Sequence, residues 1–330
     1  MTIVLPANRP ADRFYRGGAK LSALRHETSI PTHEPEDWIA STTLVAGESA
    51  VGLTVLPDGR VLADAVAADP VRWLGPDHVA AFGADTKLLV KLLDAGQRLP
   101  VHAHPHVSFA QDHLGHAHGK SEAWYILDGG TVHLGLTRDV DAAELGALVA
   151  DQRTEDLLAL LHPVDVTRGD VVYVPPGMLH AIGESVLIVE VQEPEDLSIL
   201  LEWEGFAIDG VTAGHLGLGF DTALTAVDRR GRRAGDIEAL IHRAGSSSAL
   251  LPADAAAYFR LEELMPAGAA ATTLPSGFAV LVVTEGTLTA DGHTLPTGAT
   301  LLIPHDAGRV VVEGDGAAVI ARPPAPVPPG

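Results

Sequence analysis

Residues 169–180 read Gly169-Asp170-Val171-Val172-Tyr173-Val174-Pro175-Pro176-Gly177-Met178-Leu179-His180. A run of strand-forming residues is stopped by two prolines and a glycine, so a short strand ends in a tight turn and the chain re-enters on a histidine. Upstream, Val101-His102-Ala103-His104 follows the apolar segment Lys87 to Leu93 and a turn at Asp94 to Arg98, and reads as the start of another strand. Residues two apart in a strand share a face, which points the rings of His102 and His104 the same way. Glu122 stands eighteen residues beyond His104, at the head of the strand Ala123 to Leu127. Two imidazoles, a carboxylate and a third imidazole converging inside a barrel form an open nitrogen and oxygen site for Zn²⁺, with Fe²⁺ and Mn²⁺ equally compatible, and leave positions for a substrate. Taken singly, each of these residues is more often structural. Together, His102, His104, Glu122 and His180 are the candidate metal ligands.

Short apolar runs punctuated by Gly, Pro and Asp recur outward from these motifs, the pattern of an all-β sandwich or barrel. The clearest are Val51 to Leu56, Ala123 to Leu127, Thr131 to Leu136, Asp170 to Val174 and Val186 to Gln192. Helical spacing is confined to Asp139 to Leu161, stopped by Pro163, and to two short stretches, Thr222 to Val227 and Gly235 to Ile241, around the Arg-rich turn Asp228 to Arg233. A second set of strands follows: Phe278 to Val283, a Glu-Gly turn, Thr287 to Ala290, an Asp-Gly turn, Ala299 to Ile303, and Arg309 to Val312. The expected division is a metal-binding unit over 1–205 with a helical insertion at 139–162, a helical connection over 206–248, and a β unit over 249–330. The Pro-rich end, Ala325 to Gly330, has no capacity to pair in a sheet.

The chain has 330 residues, no cysteine, and 22 basic against 43 acidic residues, a formal net charge of −21. That field repels nucleic-acid backbones and anionic membrane surfaces. Without thiolates, a metal site must be built from His and carboxylates. The first residues lack a basic segment followed by an apolar run, and no stretch has the length of a membrane span, so the expected compartment is the cytoplasm. Oligomeric state is not legible. Six of the sixteen histidines fall between His102 and His118; those beyond His106, namely His113, His116 and His118, read as an exposed polar loop.

The order His-x-His, Glu, then Gly-x5-Pro-x-Gly-x2-His resembles the two motifs of the cupin β-barrels, with Gly169, Pro175, Gly177 and His180 in the second. The surroundings resemble, more particularly, the type I mannose-6-phosphate isomerases. The segments that carry the likeness are Lys87 to Ala95, Leu99 to Pro105, Gly119-Lys-Ser-Glu-Ala-Trp-Tyr-Ile-Leu127 and Val174 to Gly183, with weaker likenesses at Arg13-Phe-Tyr-Arg-Gly-Gly and Glu36-Asp-Trp. The resemblance implies a cupin-type jelly roll followed by a smaller, metal-free cupin-like barrel. It also implies a Zn²⁺-dependent aldose–ketose isomerase that moves a proton between C1 and C2 of a sugar or sugar phosphate through an enediol. By position, Glu190 corresponds to the family's acidic residue, a candidate base, with a structural acid as the competing reading. Lys120 corresponds to its active-site Lys, a candidate for holding a phosphate or a sugar hydroxyl, with surface use as the competitor.

Three positions depart from the family pattern: Pro100 replaces a Ser, His102 a Gln, and Leu200 an Arg. The first and last remove polar groups that the family places near phosphate or reacting carbon, whereas His for Gln keeps metal ligation. The combination points toward a neutral or differently substituted sugar unless Lys120, Arg168 or a basic group in the loop Ala110 to Gly119 supplies the missing charge. Two other functions fit the same residues: an isomerase, epimerase or oxygenase of altered substrate on this scaffold, and a non-catalytic sugar-binding cupin.

Overall fold

The computed structural model describes residues 1–29, 31–247, 249–266 and 271–326, so the end of the Pro-rich tail, 327–330, lies outside the described residues. Three antiparallel sheets carry the architecture. The first has six strands in the order Ile241–His242, Val171–Val174, Glu122–Asp128, Leu187–Gln192, Leu89–Asp94 and Glu36–Ile39. The second has five, in the order Ile199–Leu200, His102–Ala103, His180–Ile182, Gly130–Leu136 and Leu161–Val166. These two face each other as a jelly roll: Trp124, Ile126, Val172, Val174 and Ile188 of the first pack against Val132, Leu134 and Ile182 of the second. Among the described strands no sheet closes on itself.

Alternation explains why polar residues can stand in fully buried strands. Leu187-Ile-Val-Glu-Val-Gln192 sends Leu187, Val189 and Val191 to the outer face, where they join a core shared with Leu62, Trp73, Phe259 and Phe278. Ile188 joins the inner core, and Glu190 and Gln192 occupy the same alternate positions. The six-stranded sheet is therefore covered on both sides, with Glu36, Lys91, Glu122 and Glu190 on the inner face and Asp37 and Asp94 on the outer. On the five-stranded sheet the outer face, with Val101, Ala103, Ala181 and Ile199, is covered by Leu145, Val149 and Leu157 from the helices Ala142–Ala150 and Thr154–Ala159.

The third sheet orders Ile3–Val4, Thr300–Ile303, Ala279–Ala290, Val310–Arg322 and Arg260–Leu264, with Thr272–Leu274 and His293–Pro296 paired at its margins. The N-terminal strand thus pairs with the C-terminal sheet, Ile3 opposite Leu302.

Three local expectations are corrected. Val51 to Leu56 forms turns with a single bridge, Val55 to Val61, in place of a strand: Gly52 has φ 99° and lies so close to the Trp38 ring that a Cβ would meet it at 2.8 Å. The run Asp139 to Leu161 is two helices, broken where Gln152 takes φ 47° and its amide bonds the carbonyls of Val149 and Leu201. Glu285-Gly286 lies inside one long strand, opposite Ala317 and Gly316, and is not a turn; the register shifts just before it, at Thr284, and Gly286 lies against the carbonyl of Asp315 where a Cβ would sit at 2.1 Å.

Candidate metal centre

The strand His102–Ala103 lies between two partners, and its register sets the site. His102 is directly opposite His180 on one side and Leu200 on the other. The Pro175-Pro176-Gly177 turn delivers His180 and is tied to the first motif, because the Gly177 amide donates to the carbonyl of His104 at 2.7 Å. Ring centroids of His102, His104 and His180 lie 4.0 to 4.9 Å apart, and all three rings are buried.

Each Nδ1 has a backbone carbonyl acceptor: Pro100 for His102 at 2.8 Å, Leu197 for His104 at 2.7 Å and Met178 for His180 at 2.9 Å. With Nδ1–H donated outward, the Nε2 lone pairs are left for a shared partner. These three histidines can place their ligand atoms within 4.8 Å of one another, and they are the only such group among the described residues.

Glu122 closes the arrangement. Its Oε2 is 3.0 Å from His104 Nε2 and its Oε1 3.3 Å from His180 Nε2. In this tautomer those contacts set acceptor against acceptor, and His180 Nε2 is buried without a hydrogen-bond partner. A proton or a metal cation is needed between them. Burial and the nearby Lys120 push His104 down to about 3, and burial with the neighbouring imidazoles holds His102 well below the usual range. Glu122 stays ionised: burial works against its charge, but Lys120 and His104 outweigh it. His102 and His104 are therefore held neutral, and the donor set suits a divalent cation.

Lys120 reaches the same point. Its buried Nζ is 2.9 Å from Glu122 Oε2, 3.0 Å from His104 Nε2 and 3.5 Å from Glu190 Oε1. Gly119 makes this approach possible, since a Cβ there would lie 2.5 Å from the carbonyl of Pro105. Glu190 is paired in register with Trp124 and Lys91. Burial raises it, as Glu122 and Glu36 do, against the lowering effect of Lys120 and Lys91. Its Oε1 has no hydrogen-bond partner.

The cleft beside the imidazoles brings in groups that spacing alone did not reveal. Lys91 lies 3.9 Å from Glu190 and 3.5 Å from Glu36. Arg13 lies 3.1 Å from Glu36 and 3.4 Å from Asp196. Tyr15 and Trp38 donate to Glu36, both at 2.6 Å. A lone Lys inside Leu89-Val-Lys-Leu-Leu was the available signal for Lys91; the others arrive by sheet pairing and loop packing. The remaining histidines of the cluster stay out of the cleft. His106, His113 and His116 are exposed. His118, expected in an exposed loop, is instead buried, with Nε2 2.7 Å from Asp85 and Nδ1 3.1 Å from the Lys87 amine.

No family model matches the chain. A mannose-6-phosphate isomerase of Streptococcus mutans is 35% identical over 133 residues, 38% of this chain and 41% of that protein. Mannose-6-phosphate isomerase ManA of Bacillus subtilis is 36% identical over 120 residues, 34% of this chain and 36% of that protein. Over these stretches the chain is similar to the mannose-6-phosphate isomerases. The aligned stretch spans about two fifths of the length of these curated relatives. The fold is shared throughout: a phosphomannose isomerase variant from Salmonella typhimurium superposes with TM-score 0.74 at 15% identity, covering 98% of this chain and 100% of that one. The mannose 6-phosphate isomerase of Bacillus subtilis superposes with TM-score 0.66 at 19% identity, covering 97% and 99%. No helix among the described residues is long and apolar enough to cross a membrane.

Trp124, which the mannose-6-phosphate isomerase likeness includes without a role, donates from Nε1 to Glu122 Oε1 at 2.9 Å and packs 5.6 Å from the His180 ring. Trp124→Phe keeps most of the packing and removes the donor that orients the carboxylate. Metal affinity is expected to fall roughly 10- to 100-fold, read by competition with a chelator of known affinity; unchanged affinity would show that Glu122 does not depend on this bond.

Proposed function

We propose that the protein is a metal-dependent aldose–ketose isomerase, acting on mannose 6-phosphate and fructose 6-phosphate or on a closely related pair. The observation that carries this is the meeting of a three-imidazole, one-carboxylate cation site with a buried lysine and a buried, unbonded carboxylate oxygen in one cleft. His102, His104, His180 and Glu122 hold the metal, with Zn²⁺ as the first candidate and Fe²⁺ and Mn²⁺ compatible with the same donors. A metal held there would supply Lewis-acid stabilisation of negative charge developing on the substrate oxygens, a contribution of several kcal/mol.

The protein's own groups do the proton work. Glu190 removes the proton from C2 of the aldose and returns it to C1, while the hydroxyl proton on O2 passes to O1, so the sugar is isomerised without net gain or loss of atoms. Burial favours such a transfer by raising Glu190 toward the working range. Lys120, set between Glu122 and Glu190, donates to the substrate oxygen on which charge develops and keeps Glu190 from being uncompensated when ionised. The apolar wall of Phe14, Leu99 and Ile182 keeps water from the reacting carbons.

A test is aldose-to-ketose conversion by metal-loaded protein, with and without chelator, on mannose and on mannose 6-phosphate. Metal-dependent ketose formation from either supports the reading; none from both, with metal bound, contradicts it. His102→Gln is expected to retain metal at lower affinity, because an amide oxygen is a weaker ligand than an imidazole. Equal affinity in a metal titration would place His102 outside the ligand set.

A further inference from the structure

The cleft alternates acids and bases from the imidazoles outward. Lys120 is shared by Glu122 and Glu190, Lys91 by Glu190 and Glu36, and Arg13 by Glu36 and Asp196. Every cation that lines it thus has a carboxylate on either side, and the ionisable groups number three cations against four carboxylates. Arg13 is the only guanidinium here, and a guanidinium is the fork that suits a phosphate. Its Nε faces Glu36, and its Nη1 and Nη2 face the two oxygens of Asp196. Burial pushes both acids up, but Arg13 and Lys91 hold each of them below the ordinary carboxylate range. Between these groups and the imidazoles the wall is apolar at Pro100 and Leu200.

A phosphate dianion placed here would have to displace a carboxylate from Arg13 and then remain beside two ionised acids, which costs Coulomb energy in a poorly solvated setting. A sugar hydroxyl has no such conflict. It donates to a carboxylate and accepts from Lys or Arg at once, so a row of alternating acids and cations matches a row of hydroxyls.

We propose that the substrate is an unphosphorylated open-chain sugar whose hydroxyls, beyond the reacting carbons, are read by Asp196, Arg13 and Glu36. This narrows the isomerase reading above and rests on it for the reaction, though not for the recognition.

The experiment uses the full, metal-loaded chain and two readouts. Turnover compares mannose with mannose 6-phosphate, and calorimetry compares mannitol with mannitol 1-phosphate, which carry no carbonyl and bind without reacting. The phosphate is expected to improve neither kcat/KM nor affinity by more than about tenfold, against the ~10³-fold or more expected of a site built around a charged anchor. Asp196→Asn, which frees half of the Arg13 fork, is expected to shift the kcat/KM ratio about tenfold toward the phosphorylated sugar. A strong preference for the phosphorylated compound in the unaltered protein overturns the proposal and leaves the isomerase reading standing. Preferential binding of mannitol with no turnover of either sugar supports the recognition and overturns the isomerase reading. Binding of neither polyol overturns the proposal.

Discussion

Replacing His180 by Ala is expected to strip the protein of its metal and to lower turnover by ~10³-fold or more, the rate equivalent of losing a Lewis-acid contribution of several kcal/mol. His180 is the most constrained of the ligands. It stands directly opposite His102 in register, its Nδ1–H is held by the Met178 carbonyl, and its Nε2 lies 3.3 Å from Glu122. Removing it leaves two imidazoles and a carboxylate, with Glu122 still beside His104, Lys120 and Trp124. A closed ring of buried donors does not re-form around a missing member when each ring is locked by its own backbone acceptor. Elemental analysis of protein purified without chelator measures the loss, and circular dichroism shows whether the variant remains folded. Full metal occupancy in a folded His180→Ala protein would dismantle the site.

The second large effect is on chemistry with the metal left in place. Glu190→Gln is expected to retain fold and metal and to lower kcat by roughly 10²-fold or more, the scale for losing a positioned general base. The side chain is isosteric, and the strand Leu187–Gln192 is paired on both sides, so the position should hold. What changes is the ability of Oε1, now without a hydrogen-bond partner, to accept a proton. Lys91 and Lys120 each lose a nearby negative charge, so some effect on substrate affinity accompanies the loss. A near-normal kcat would move the base role to Glu122 or Lys120.

How much of this was legible before folding depends on the distance over which each residue is placed. His102 and His104 share a face because of a two-residue strand period, and Gly169 to His180 encodes its own strand and turn, so the ring of imidazoles could be read from local pattern. Glu190 came only from the family likeness, by its offset from His180. Lys91 and Asp196 could not be read this way. Lys91 enters the cleft because Leu89–Asp94 pairs with both Leu187–Gln192 and Glu36–Ile39, and its strand neighbours Glu190 and Trp38, 99 and 53 residues away, leave no periodic trace. Arg13 and Glu36 were visible only as weak family likenesses, and their meeting required the N-terminal segment to fold across the sheet edge. Two of the misread segments share a cause: Gly52 and Gly286 take positive φ at close backbone approaches, and neither the turn at the first nor the uninterrupted strand at the second follows from hydropathy. His118 was read as loop because its partner Asp85 lies 33 residues away.

The most direct test is hydrogen exchange at C2. Metal-loaded protein is incubated in D₂O with mannose and with mannose 6-phosphate, and the C2 proton is followed by NMR. The account predicts that solvent deuterium enters C2 of at least one sugar, that its ketose partner gains deuterium at C1, and that both signals vanish on chelation and return with Zn²⁺. Metal-saturated protein that leaves C2 of both sugars unlabelled and forms ketose from neither would contradict a metal-assisted proton transfer at Glu190.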